Sequence, residues 1–195
     1  AALGRTVAWI GAFVNRAFVE IDATAKSCGR SLVQLHGGEG PAFCMEVSRR
    51  TGVKVINASR VRSKATLQAA AAFHSDFHLL DAHVAGVPGG TRQTIDWELV
   101  RQHRLAAPII LSGGLNPDNV QAAIAATAPF AVDVASGTEL SPGVKDPDKL
   151  IALARAVRET WPHEDELAAQ AAEAAVAARR RAAVSGAADS PEAVA

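Results

Sequence analysis

Short apolar runs recur along the chain and are separated by longer segments of helical character. The runs cover 7–14, 32–35, 53–56, 77–80, 108–111 and 130–134. Most are continuous in apolar residues and do not alternate, which suits strands covered on both faces, as in parallel sheets. Segments 16–28, 41–50, 62–73, 96–105, 117–127 and 146–160 have helical length and follow them in turn. Six strand–helix units in succession predict an α/β fold with a parallel sheet.

Local signals sharpen two helix starts. In Leu115-Asn116-Pro117-Asp118-Asn119-Val120, Asn116 is expected to cap a helix with its side-chain oxygen. Pro117 then takes the first helical position, where its missing N–H costs little, and Asp118 favours the positive end of the helix dipole. Asp96 before Trp97 reads as a second cap. The pattern changes at 163–195, which is rich in Ala and almost without large apolar side chains. Glu164, Asp165 and Glu166 open this tail, and Arg179, Arg180 and Arg181 close its helical part, an order that complements a helix dipole. The expected organisation is therefore a barrel-like domain over 1–162 and an Ala-rich helical tail over 163–195 with a disordered end.

Composition narrows the function classes. The 195 residues carry 20 Lys plus Arg and 20 Asp plus Glu, so no global charge draws the chain to nucleic acid or to an anionic membrane. No apolar run approaches the roughly 20 residues that span a bilayer. The two cysteines, Cys28 and Cys44, have neither metal-ligand spacing nor a disulfide framework, and a reduced, cytoplasmic setting is expected. No metal site is expected from His74, His78, His83 and His103, whose spacing compels no coordination.

Candidate chemistry gathers just after the strands, where parallel α/β folds place their ligands. Asp81 ends an apolar run and precedes a long glycine-rich stretch that includes Gly89, Gly90 and Thr91. It reads either as a general acid or base or as a carboxylate that braces a loop. Ser112-Gly113-Gly114 and Ser136-Gly137 follow the last two runs and offer glycine backbone N–H groups, which suit an anion such as phosphate. His36 ends the second run, as a rim group for a ligand or as a structural histidine.

Taken together, these stretches resemble the phosphoribosylanthranilate isomerases of tryptophan biosynthesis. The resemblance rests on Gly11-Ala12-Phe13-Val14-Asn15, Val33-Gln34-Leu35-His36-Gly37, Leu79-Leu80-Asp81, Gly89-Gly90-Thr91, Asp96-Trp97, the segment 111–120, the segment 132–139 and Pro142-Gly143-Val144-Lys145-Asp146. It covers about residues 7–160. It implies a TIM (β/α)8-type barrel without cofactor, here incomplete with about six strands, and an Amadori rearrangement of a sugar phosphate. It further implies that Asp81 is the general acid. On the same reading His36, Gly90, Gly113, Gly114, Ser136 and Gly137 bind substrate and phosphate.

The departures are specific. The family's base is a cysteine in a Lys-Ile-Cys-Gly type motif at the end of the first strand, and an arginine in the second unit's loop meets the anthranilate carboxylate. Neither the motif nor that unit is present here, and Cys28 and Cys44 do not stand in its place. The resemblance therefore implies that two β-α units belong ahead of this sequence and that turnover by these residues alone is lowered. Arg92, Ile95 and Ala135 also depart from the usual Gly, Phe and Ser. Two alternatives stay open: a barrel similar to indole-glycerol-phosphate synthase, and a non-catalytic degenerate barrel that binds phosphate or a partner.

Overall fold

The computed structural model describes residues 8–27, 29, 32–81, 97–101 and 105–161. In chain order the elements are β1 (Ile10–Phe13), α1 (Phe18–Ser27), β2 (Leu32–Leu35), α2 (Pro41–Thr51), β3 (Lys54–Arg60), α3 (Lys64–Ala70) and β4 (Phe77–Asp81). They continue with α4 (Trp97–Arg101), β5 (Ile109–Ser112), α5 (Val120–Thr127), β6 (Ala131–Val132), a 3-10 turn (Ser136–Thr138), β7 (Glu139–Ser141), β8 (Val144–Lys145) and α6 (Pro147–Thr160). The chain divides into two units, Ala1–Arg158 and Glu159–Ala195. The expected tail at 163–195, the Asp96 cap, Cys28 and the loop carrying Gly89, Gly90 and Thr91 lie outside the described residues.

Strands β1 to β6 form one sheet in the order in which they occur, and every neighbouring pair is parallel. This winding, without the reversal of a doubly wound sheet, is that of a (β/α) barrel. Side chains of a strand alternate between faces, and parallel partners in register share a face. Val33, Val55, Leu80, Ile109 and Leu111 thus lie on one side. That side meets the helices in two apolar clusters. One joins Val33 and Val55 to Ile21, Cys44 and Val47. The other joins Leu80, Ile109 and Leu111 to Leu67, Val100 and Ala123. The opposite, concave side carries Ala12, Gln34, Ile56, Leu79, Ile110 and Ala131. Ile56 and Leu79 are each only 1% exposed, yet they belong to neither helix cluster. Each therefore anchors the interior of the concave side. Among the described residues β1 and β6 are edge strands, and Trp9 and Ile10 beside one edge are 49% and 45% exposed.

Several boundaries differ from expectation for physical reasons. Strand β3 runs four residues further than its apolar run, because Ala58, Ser59 and Arg60 pair with Leu79, Leu80 and Asp81. Asn57, the first residue past that run, is mid-strand, 3% exposed and on the helix side, where its amide donates to Ser59 Oγ at 3.0 Å. Helix α5 starts at Val120, three residues past the expected first position at Pro117. Asn116 still caps: its Oδ1 accepts from the backbone N–H of Asp118 at 2.9 Å and of Asn119 at 3.2 Å. It caps the turn that leads into the helix. The β7–β8 hairpin has no counterpart in the apolar pattern, since both strands are short and largely exposed.

Candidate active site

The carboxyl ends of β2 to β6 bring single polar residues onto the concave side. Register places Gln34 beside Ile56 on that side, so His36, two residues on, shares it. Arg60 is paired with Asp81, and Asp81 with Ser112. Asp133 follows β6, its N–H donating to the carbonyl of Leu111, and it accepts from Ser112 Oγ at 2.8 Å. The rim thus reads His36, Arg60, Asp81, Ser112, Asp133 across five strands. Asp81 is half-buried at its centre. His36 is held from within its strand, with Nδ1 3.0 Å from Gln34 Nε2.

The two glycine loops at the end of this row are built as one piece. Gly113 and Gly114 both have positive φ, +98° and +66°, a backbone path that a side chain would strain. Asn119 Nδ2 donates to the Gly114 carbonyl at 3.0 Å and holds the turn from the helix side. Gly137 packs against the same loop so closely that a Cβ there would overlap the Leu115 carbonyl oxygen. Only a residue without a side chain fits. From the far side, Lys145 Nζ donates to the Ala135 carbonyl at 2.5 Å and to Thr138 Oγ1 at 3.2 Å. Among the described residues, the backbone N–H groups of Gly113, Gly114, Ser136 and Gly137 donate to no protein acceptor. Four such donors in two adjoining loops can receive an anion with several oxygens.

At the other end of the sheet, the loops after β1 and β2 brace one another. Gly38 N–H donates to Asn15 Oδ1 at 2.7 Å, and Glu39 accepts from the N–H groups of Asn15 at 2.6 Å and Gly37 at 2.7 Å. Asn15 takes a positive φ of 50° to make this turn, which an Asn tolerates better than most side chains.

Residues 2–156 match the family model described as N-(5'-phosphoribosyl)anthranilate (PRA) isomerase. The chain belongs to the N-(5'-phosphoribosyl)anthranilate isomerase family. A relative of that name from Citrifermentans bemidjiense is 47% identical over 141 residues, which are 72% of this chain and 66% of the relative. One from Pseudomonas fluorescens is 44% identical over 160 residues, 81% of this chain and 74% of the relative. The isomerase structure from Thermotoga maritima superposes with a TM-score of 0.72 at 35% identity, covering 80% of this chain and 76% of that one. Another isomerase structure, at 33% identity and a TM-score of 0.66, covers 81% of this chain and 75% of its own. It holds reduced 1-(o-carboxyphenylamino)-1-deoxyribulose 5-phosphate. The match to the first of these relatives spans about two thirds of its length.

Within this isomerase fold the structure brings together Asp81, His36, Gly113, Gly114, Ser136 and Gly137 at one end of the sheet, while Gly90 lies outside the described residues. Sequence reasoning passed over three contributors. Arg60 was hidden by the strand extension, Asp133 by its place inside a motif read for its glycines, and Lys145 by a hairpin invisible to apolar pattern. Cys44 is on the opposite side of the sheet. It is 1% exposed in the α1–α2 cluster, and its thiol is pushed up to about 11, chiefly by burial and then by the nearby Glu39 charge. A thiol so far toward the neutral form is a packing group.

Proposed function

We propose that this chain carries the substrate grip and the general acid of an isomerase that converts N-(5'-phosphoribosyl)anthranilate to 1-(2-carboxyphenylamino)-1-deoxyribulose 5-phosphate. The observation that supports this reading best is the rim itself. A carboxyl group, Asp81, stands beside two joined glycine loops, after β5 and β6, whose four amides donate to no acceptor among the described residues. The amides of Gly113, Gly114, Ser136 and Gly137 take the phosphate dianion through their N–H dipoles. With the phosphate over β5 and β6, the sugar ring lies over β4. Asp81 gives its proton to the ring oxygen while the bond from that oxygen to C1 breaks and the anthranilate nitrogen forms a C=N bond. Loss of the C2 proton to a base then gives the enaminol, which tautomerises to the ketone. Atoms are conserved throughout, as an isomerisation demands. His36 sits on the same rim as a hydrogen-bonding group for the sugar or the aromatic acid.

Two measurements on the purified chain test this: calorimetric titration with the reduced product analogue, and conversion of substrate followed by chromatography. The analogue is expected to bind. The Asp81→Asn variant is expected to keep that affinity within a few-fold while conversion falls roughly 10²–10⁴-fold, the usual contribution of a positioned acid. Equal conversion by the variant would remove Asp81 from the acid role. A chain that neither binds the analogue nor converts substrate would overturn the reading as a whole.

A further inference from the structure

We propose that Arg60 receives the carboxylate of the substrate's aromatic acid and so sets specificity for that group, an inference that rests on the function just proposed. Two observations and one consequence of the proposed function carry it.

The first is placement. In β3 the residues Val55, Asn57 and Ser59 face the helices, and Val61 beyond the strand is buried in the helix-side cluster. Alternation puts Ile56, Ala58 and Arg60 on the concave side. Arg60 is in register with Asp81, the neighbouring strand's last residue. Adjacent strands are about 4.8 Å apart, so the backbone of Arg60 lies one strand-width from that of the proposed acid.

The second is that Arg60, like Arg62, Arg155 and Arg158, pairs with no carboxylate among the described residues. Arg16, Arg49, Arg50 and Arg101 each pair with a glutamate of their own helical segment, at 3.9, 2.9, 3.6 and 2.6 Å. Among the described residues no carboxylate pairs with Arg60, although it is exposed and stands in a row that contains Asp81 and Asp133. An exposed arginine at a strand end, on the ligand side of the sheet and with no anion paired to it among the described residues, is available to an external one.

The third is direction along the rim. On the proposed function, the joined glycine loops after β5 and β6 take the phosphate and Asp81 on β4 serves the ring oxygen. The remaining part of the substrate, the aromatic acid attached at C1, must then run on toward β3 and β2. It reaches Arg60 before His36. A guanidinium meets a carboxylate with two parallel N–H···O bonds, which an ammonium cannot do.

The test compares two probes by calorimetry: the reduced product analogue with its carboxylate, and the same molecule with phenyl in place of carboxyphenyl. The parent chain is expected to prefer the carboxylated probe. In Arg60→Ala, affinity for that probe is expected to fall about 10–100-fold, the usual scale for a lost charged hydrogen bond, while the phenyl probe changes less than two-fold. Arg60→Lys is expected to recover part of the preference. Because Arg60 is exposed, the urea midpoint should stay where it was. Equal losses for both probes, or none for either, would overturn the role of Arg60 and leave the proposed function standing. A parent chain that binds neither probe would overturn the proposed function and this assignment with it.

Discussion

Gly137→Ala is the substitution for which the structure makes the sharpest demand. The added Cβ would overlap the Leu115 carbonyl oxygen and come within 2.8 Å of its carbon, and these are backbone atoms that cannot swing aside as a flexible side chain could. Retreat of that carbonyl is opposed from both sides. The Leu115 side chain is 2% exposed in the β4–β5 core, and Asn116 next to it caps the turn into α5. Overpacking of this kind costs roughly 1–3 kcal/mol, and a fixed backbone partner puts the cost at about 2–3. For a domain of this size that lowers the melting temperature by about 5–10 °C. The same displacement separates the two loops, so affinity for the reduced product analogue should fall at least about ten-fold although no donor has been removed. Gly38→Ala is the control. Its Cβ would meet only Asn15 Oδ1 at 3.5 Å, so it should be neutral, or stabilising by about 0.4–1 kcal/mol through the unfolded chain. Thermal unfolding and calorimetry of both variants decide the matter. A Gly137→Ala protein with parental melting temperature and parental affinity would refute the idea that the two loops are built as one.

Two other perturbations have defined outcomes. Lys145→Met removes the contacts to Ala135 and Thr138 from a half-exposed ammonium, so the stability cost should be only about 1 kcal/mol. Amide exchange over the 3-10 turn, followed by mass spectrometry, should nevertheless accelerate, and unchanged exchange there would deny Lys145 its bracing role. Cys44 gives a pH dependence: its folded pKa, about 11, lies above the ordinary 9.0, so its stabilising contribution is whole below pH 9 and is lost as pH rises through about 11. The total is about 3 kcal/mol. Urea midpoints between pH 9 and 11 should fall less steeply in Cys44→Ala than in the parent, and parallel slopes would show that the buried thiol is not the cause.

The parts of the fold that were legible in the sequence are those written in contiguous apolar residues. Val33, Val55, Leu80 and Leu111 sit in short runs because they face helices across a buried sheet, and the run itself reports that burial. The same logic misplaced the end of β3. Ala58, Ser59 and Arg60 are held in the sheet by pairing with β4, and nothing in their side chains announces it. It also missed β7 and β8, whose Leu140 and Val144 are 73% and 52% exposed and contribute no core signal.

The site follows the same division. Asp81 and the Gly113-Gly114 turn could be found because their chemistry is local: a carboxylate where a strand stops, and a backbone path that glycine alone accepts easily. What makes Gly137 irreplaceable is the carbonyl of Leu115, 22 positions earlier, and what exposes Arg60 to a ligand is its register against Asp81, 21 positions later. Both properties belong to pairs of segments, so neither residue carries them in its own neighbourhood. The rim thus has a readable half, where one loop suffices for the chemistry, and a half that exists only once neighbouring strands are aligned. Substitutions in the first half should mainly change the chemical step or the local turn. Those in the second should change which substrate fits or whether the loops meet, which is why the Arg60 and Gly137 variants are best measured by binding and not by rate alone.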